Sequence, residues 1–417
     1  MVNASLNQRP QWRTTMTTLT AEQMDRVKAT APVLAAQGPK ITQHFYQRMF
    51  HHHPELRNLF NQSHQKAGGG QPEALARAVW AYAANIDNLG ALGGTVSRIA
   101  HKHVSLSVRP EHYPIVGENL LAAIVEVLGE AVDAPTLDAW RAAYAQLVQI
   151  LTGVEARLYA QAPWTGYRPF RVARKVRESD EITSFYLEPT DGGAAPDFEP
   201  GQYISVKRYI GELGVDQPRQ YSLSDLPNGK WLRISVKREA GRGAAVPAGR
   251  MSTLLHDGVE EGAIVEVSAP MGDFTLAREA DTPVVLISGG VGITPMVSMA
   301  SALAAAGSRR PLHFVHACRS GRVHAFRDWL NALVASRPDT TRHVLYEIVG
   351  PDDEAGVDHD REGRLTPAEL RAAVLPDADY YLCGPVGFMT AQRDALLALG
   401  VAPARVHTEI FGSGAVE

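Results

Sequence analysis

The chain has 417 residues, 45% hydrophobic and 21% charged, a soluble globular composition that is too long for one ordinary core, so two or three domains are expected. A formal net charge of -4 and a sequence pI near 6.4 give no reason to expect nucleic acid or an anionic membrane as partner. Two cysteines, Cys318 and Cys383, exclude a disulfide framework or a thiol-rich zinc site and fit a reducing compartment.

Residues 1–18 are polar and Thr-rich, without the apolar core or small-residue cleavage site of a secretory signal. They read as a disordered extension, with Met1 or Met16 as the start. Residues 19–160 are written in helices: EALARAVWAYAANIDNL and IVGENLLAAIVEVLGE space apolar residues three and four apart, with breaks near Gly68–Gly70, Pro110, Pro114 and Pro135. Residues 161–169 hold two prolines, a glycine, Trp164 and Tyr167, and read as a linker. From Phe170 to residue 278, short period-two runs such as GQYISVKRY and WLRISVKRE predict an antiparallel barrel or sandwich, of which the β-barrel is expected. Residues 279–417 alternate buried strands (VVLIS, LHFVHAC, RHVLYEI, YYLC) with helices, the βαβ rhythm of a parallel sheet. The most apolar stretch, Val284 to Ala306, is broken by Gly289, Gly290, Gly292 and Pro295, which argues against a membrane span and for a cytoplasmic protein. The fold class is multidomain: all-α, then antiparallel barrel, then α/β.

The strongest motif is GGVGITP (Gly289, Gly290, Val291, Gly292, Ile293, Thr294, Pro295), directly after a strand. Glycines let the backbone turn and approach a pyrophosphate, and Thr294 as N-cap with Pro295 in the first turn would aim free N–H groups at it. The bland alternative, a tight strand-to-helix turn, is disfavoured by strand, glycines, cap and proline in this order. The second motif is RQYS (Arg219, Gln220, Tyr221, Ser222), with Tyr203 upstream in PGQY. Arg219 can pair with a phosphate, Tyr221 can stack on a ring and Ser222 can hydrogen-bond a ring nitrogen. Alone this is weak, because alternating Arg and Tyr on a half-exposed strand are commonplace.

Together the motifs resemble the ferredoxin-reductase superfamily, whose FAD barrel carries RxYS and whose nucleotide domain carries GGxGxTP. The resemblance implies FAD-pyrophosphate contacts at Met251, Ser252 and Thr253, a nicotinamide-side loop at Cys383, Gly384 and Pro385, and an aromatic Phe411 near the flavin ring. For Cys383 a merely buried strand-end residue still competes.

In the helical part the candidate axial ligands are His101 and His103 in IAHKHVSL; they lie on different helix faces, so at most one can face an iron. His51–His53 beside Pro54 read as a solvated helix end. The segments TQHFYQRMF, HPELRNLF, HKHVSL, EHYPIVGENLLAAI and LDAWRAAYAQL resemble bacterial flavohaemoglobins and single-domain bacterial haemoglobins, and the flavohaemoglobin resemblance runs from about Leu19 to Gly412. That resemblance implies a haem-binding globin with His103 as iron ligand after Lys102, distal Tyr46 and Gln71, and Phe60 and Leu75 against the haem. It also implies a proximal Tyr113–Glu155 pair that makes the imidazole more basic. AGGGQPEAL is one residue longer than the usual pattern. Ser413 stands where the family has Pro, and the Gly241–Arg250 loop is longer and more basic.

The implied cofactors are haem b with its iron, FAD, and NADH or NADPH, the last choice resting on residues such as Arg319 and Ser320. The implied function is nitric oxide dioxygenase: electrons pass from NAD(P)H through FAD to haem, whose bound O2 oxidises nitric oxide to nitrate. No obligatory protein partner is implied, and the distal pocket is a place for a lipid or azole ligand. The rivals are an O2-binding globin, which would not need the nucleotide motifs, and a flavin or ferric reductase, which would need neither Tyr46 nor His103.

Overall fold

The computed structural model describes residues 18–61, 70–241, 247–277 and 280–411. Met1–Thr17 with Met16, Ser413, and residues 242–246 of the Gly241–Arg250 loop lie outside them, so the expectations placed there are not addressed.

The helical part runs α1 (Ala21–Ala29), α2 (Ala31–His52), α3 (Gly70–Ala84), α4 (Gly93–Ser105), α5 (His112–Leu128) and α6 (Ala134–Gln161). Its starts are written locally. Thr20 and Gln23 form a capping box on α1, and Asp133 caps α6 with Pro135 in the first turn. Pro114 likewise lies in the first turn of α5, so Pro114 and Pro135 open helices rather than divide them. The core is the packing of α2, α3, α5 and α6 around Ile41, Phe45, Met49, Tyr82, Ile124 and Trp140.

The next sheet contains β1 (Tyr167–Arg177), β2 (Ile182–Pro189), β3 (Tyr203–Ile210), β4 (Val215–Ser222), β5 (Leu232–Lys237) and β6 (Ile264–Ser268), with α7 (Arg250–Gly258) between the last two. The strand order is β4-β3-β6-β1-β2-β5, and an antiparallel bridge from Leu223 to Ile234 joins the two outer strands. That bridge closes the sheet into the expected barrel, which removes its free edges. The linker is shorter than 161–169. Helix α6 runs through Gln161 and β1 already begins at Tyr167, because Tyr167, Arg168 and Pro169 pair with Ser268, Val267 and Glu266. Pro169, which signals a loop locally, is accommodated inside this strand.

The last part contains β7 (Val284–Gly289), α8 (Ile293–Ala305), β8 (Leu312–Cys318), α9 (Arg327–Ser336), β9 (Thr340–Tyr346), β10 (Arg361–Glu362), α10 (Pro367–Ala373), β11 (Asp379–Gly384), α11 (Val386–Ala398) and β12 (Val406–Ile410). All pairings are parallel, in the order β10-β9-β8-β7-β11-β12. Chain direction across the sheet reverses between β7 and β11. Such a switch point opens a ligand crevice at the carboxyl ends of the strands. Among the described residues no helix is long and apolar enough to cross a membrane.

Candidate active site at the domain junction

Helix α4 has two working faces. Arg98, His101, Lys102 and Ser105 are spaced i, i+3, i+4 and i+7 and form one stripe. His103 is two positions from His101 and so points about 200° away from it. The stripe meets the barrel and the nucleotide domain. Gly272 donates its N–H to His101 Nδ1 (3.0 Å), and the Tyr167 hydroxyl donates to the Ser105 carbonyl (3.3 Å). Val104 packs with Ala269, Met271, Trp164 and Tyr203. Charge complements this contact: burial and neighbouring Asp273 push the Glu409 carboxyl up to about 8, while Lys102 and Arg98 on α4 pull it down. Lys102 is itself held below its usual value by burial, with Glu409 opposing.

The other face of α4 holds the His103 imidazole in a fixed tautomer. Nδ1 lies 2.8 Å from Glu155 Oε1 and 3.0 Å from the Tyr113 hydroxyl, which itself donates to Glu155 Oε1 (2.5 Å). A carboxylate only accepts and the tyrosine proton is already committed, so Nδ1 must carry the ring proton. The Nε2 lone pair is then available, and it has no hydrogen bond to any described residue. Glu155 is only 2% exposed, unlike a solvated helix-face residue. Burial and the Glu155 charge push the Tyr113 hydroxyl up, keeping it a donor. Tyr113 is anchored in turn, since Tyr144 donates to its carbonyl (2.6 Å); Gly117 makes room, a Cβ there meeting the Tyr144 ring at 2.4 Å.

On α2, Tyr46 is buried, and burial pushes its hydroxyl far above the ordinary phenol value. Its ring meets Phe50 and, edge-on, Phe60 at 5.7 Å. The hydroxyl makes no hydrogen bond to a described residue. Tyr82 behaves otherwise: it donates to the Ala143 carbonyl (2.8 Å), as a core tyrosine does. Leu75 packs against the same core, and Gln71 is the second residue of α3, with Pro72 behind it.

Strand β4 carries RQYS. Gln217 donates to the Phe60 carbonyl (3.2 Å), Asp216 N–H donates to Asn58 Oδ1 (2.8 Å), and Arg219 donates to Asn61 Oδ1 (2.5 Å) and to the Pro218 carbonyl (2.6 Å). Arg219 has no carboxylate partner among the described residues, and burial lowers it to about 10. A desolvated guanidinium held only by neutral acceptors is a place for an anion. Tyr221 is also driven up by burial. Ser222 pairs with Tyr203 across β3 and β4. Met251, Ser252 and Thr253 form the first turn of α7: the Met251 side chain fills the barrel core, while Ser252 Oγ accepts from Glu239 N–H (3.2 Å) and donates to the Gly249 carbonyl (3.0 Å).

GGVGITP departs from expectation in one respect. Thr294 is not the N-cap. Gly290–Gly292 form a 3-10 turn that runs into α8, so Gly292 is the cap and Thr294 Oγ1 donates back to the Val291 carbonyl (3.0 Å). The turn itself uses Gly290, whose φ is +54°. This loop touches the one after β11: a Cβ on Gly292 would lie 2.2 Å from the Cys383 carbonyl oxygen, and one on Gly289 would meet Phe388 and Pro385. Cys383 itself is fully buried and its thiol is pushed well up by burial. Gly292 has an ordinary φ of -62°, so Gly292→Ala acts by overlap alone. On the expectation that this loop holds NAD(P)H, the substitution should weaken that binding by about 1–3 kcal/mol, roughly 5–150-fold, and leave the helical part unperturbed; titration with NADH checks this.

Phe411 follows β12 and is 40% exposed. Arg319, after β8, is ion-paired with Glu181 of the barrel.

These features can be set beside known proteins. A model of the Globin family matches residues 43–151, and one described as Oxidoreductase NAD-binding domain matches residues 286–394. The Flavohemoprotein of Bordetella pertussis is 58% identical over 398 residues, covering 94% of this chain and 98% of its own. That of Chromobacterium violaceum is 55% identical over 394 residues, covering 93% and 96%. The chain belongs to the flavohaemoprotein family. A crystal structure of flavohaemoglobin from Malassezia yamatoensis with bound FAD and haem superposes with a TM-score of 0.84 at 29% identity, covering 94% of this chain and all of that one. The FAD/NAD-binding domain of nitric oxide dioxygenase from Vibrio cholerae O1 biovar El Tor matches 59% of this chain and 98% of its own, with a TM-score of 0.52 and 41% identity.

In this flavohaemoprotein the residues singled out from the sequence fall into three groups: His103, Tyr113 and Glu155; Tyr46 and Phe60; and the two nucleotide motifs. Sequence reading missed Glu409, Asn61, Ser105 and Ser205. Glu409 had a usable signal, since on a strand it shares a side with Phe411, two residues on. Asn61, Ser105 and Ser205 had none, because each matters through a partner in another domain.

Proposed function

We propose that the chain is an NAD(P)H-dependent nitric oxide dioxygenase that holds haem b and FAD. The reaction combines nitric oxide and O2 with one electron into nitrate, so one NAD(P)H supports two nitrates. When bound, the two cofactors supply dioxygen activation and the conversion of a two-electron donor into single electrons. The chain's own groups fit them. His103 Nε2 makes no hydrogen bond to a described residue, and the half-buried Arg219 has only neutral hydrogen-bond partners among the described residues.

The observation that carries the reading is the His103–Tyr113–Glu155 triad. A carboxylate hydrogen-bonded to Nδ1 makes Nε2 a stronger electron donor, which favours chemistry on dioxygen over storage. On α2 the Tyr46 hydroxyl would have its proton to donate to a substrate atom that gathers negative charge. Arg219, Tyr221 and Ser222 bind and orient the flavin, and the loops at Gly289–Thr294 and Cys383–Pro385 orient the nicotinamide. The stripe of α4 keeps the two halves in contact.

The test is made on purified full-length protein. Anaerobic NADH should reduce both flavin and haem, and O2 with nitric oxide should then give nitrate at two per NADH. Reduction of the flavin without nitrate formation would leave only a reductase. Tyr46→Phe removes the hydroxyl and keeps the ring. A charged hydrogen bond of about 1.5–3 kcal/mol is then lost, so O2 should dissociate roughly 10–150-fold faster while NADH-to-flavin transfer is unchanged. Unaltered O2 dissociation would make Tyr46 a packing residue.

A further inference from the structure

A hydrogen-bond chain crosses from the RQYS strand to the helix of His103. Gln220 Nε2 donates to Ser205 Oγ (3.0 Å), Ser205 Oγ donates to Ser105 Oγ (3.1 Å), and Ser105 Oγ donates to the Lys102 carbonyl (2.8 Å). Each hydroxyl has one proton, so the three bonds can only run in this direction. Ser105 and Ser205 are both fully buried, which keeps water from substituting for either partner. The backbone around Ser205 is also held, since its N–H donates to Ser268 Oγ (2.8 Å).

A serine in the last turn of a helix often bonds the carbonyl three residues back, so the Ser105–Lys102 bond alone is ordinary. The acceptance from Ser205 is not local: it spans 100 residues of chain and joins two domains. The two ends are also informative. Gln220 lies between Arg219 and Tyr221, and its Oε1 has no partner among the described residues. At the other end, Lys102 precedes His103, and its carbonyl also accepts from Leu106 N–H (3.1 Å), the bond that caps α4.

We propose that Gln220, Ser205 and Ser105 form a positioning relay through which occupancy of the flavin site sets the last turn of α4, and with it the His103 imidazole. The proposal rests on the reading above, in which FAD lies on Arg219–Ser222 and haem on His103. A flavin N–H or carbonyl beside Gln220 fixes the amide, and the amide fixes the two hydroxyls in order. Bonds in such a buried chain polarise one another, so a change at one end is felt at the other. Ser105 and Ser205 touch neither cofactor in this scheme. They are positioning residues, and neither is part of the His103–Tyr113–Glu155 triad.

The iron–imidazole stretching band of the ferrous protein, read by resonance Raman, tests the relay without reference to turnover. The band is recorded in full-length protein with FAD bound, after FAD is removed, and after it is returned. In the parent it should shift on removal and recover on return. In Ser105→Ala and Ser205→Ala, which sit in different domains so that one stands if the other misfolds, the band should be present but no longer respond to FAD. Amide hydrogen exchange over residues 102–108 should follow the same pattern, slowing on FAD return in the parent only. A band that ignores FAD in the parent, or responds equally in both variants, overturns the relay and leaves the cofactor sites standing. Absence of the band, or failure of flavin absorbance to return, would instead overturn the underlying assignment of the sites.

Discussion

His103→Ala is expected to yield protein without haem or with a grossly altered Soret band, whereas His101→Ala retains a parental spectrum. Ligation is directional and needs a free lone pair on a ring held in one tautomer. His103 has both: Nδ1 is committed to Glu155 and Tyr113, and Nε2 has no hydrogen bond to a described residue. His101 has neither a carboxylate on its ring nor the right face, because its Nδ1 accepts the Gly272 N–H at the junction with the barrel. Its removal leaves that N–H without a partner, a loss of about 1–3 kcal/mol that should appear as a lower melting temperature. Haem loss in His101→Ala, with retention in His103→Ala, would reverse the register of α4. Absorption spectra of the two purified variants decide it.

Arg219→Ala together with Tyr221→Ala is expected to empty the flavin site while the haem spectrum persists. Arg219 is a half-buried cation whose partners among the described residues are the neutral Asn61, Gln217 and Pro218 oxygens. Loss of one charged hydrogen bond weakens binding by about 1.5–3 kcal/mol, roughly 10–150-fold, and loss of the stacking ring adds to this. Flavin released on gel filtration, measured against haem absorbance, checks the result. NADH oxidation should disappear in parallel. Undiminished flavin in the double variant would place the binding groups elsewhere on the barrel. The contact of Arg219 with Asn61 adds a second readout: the globin half and the barrel should dissociate more readily in urea.

Much of this organisation is legible in the sequence because the forces involved are local. The three-four spacing of EALARAVWAYAANIDNL, the Thr20 capping box and the apolar VVLIS strand are set by periodicity and nearest neighbours. The nucleotide loop was readable for the same reason, since a strand followed by glycines and a proline dictates one kind of turn. Where its cap was misplaced, at Thr294, a 3-10 turn at Gly290–Gly292 extended the helix backward. The approach of Gly292 to the Cys383 carbonyl favours that closer path, and nothing within seven residues encodes it. Tyr167 likewise reads as linker because proline and glycine beside it speak locally of a loop, whereas pairing with Ser268, about a hundred residues later, makes it a strand.

The site divides along the same line. Residue types and a resemblance were enough to name His103, Tyr113, Glu155 and Tyr46, yet by residue type alone Glu155 would be a solvated face residue and Tyr46 a core ring. Only the folded chain buries Glu155 against His103 and leaves the Tyr46 hydroxyl without an acceptor among the described residues. The hydrogen bonds of Asn61 with Arg219 and of Ser105 with Ser205, and the charge interaction of Lys102 with Glu409, were invisible for a plainer reason. Each joins groups 100 or more residues apart, and the energy of such a contact depends on burial and on geometry that sequence periodicity does not carry. Local spacing is enough to specify three separate cores and their helical or strand character; which groups meet across the junctions depends on packing between distant segments.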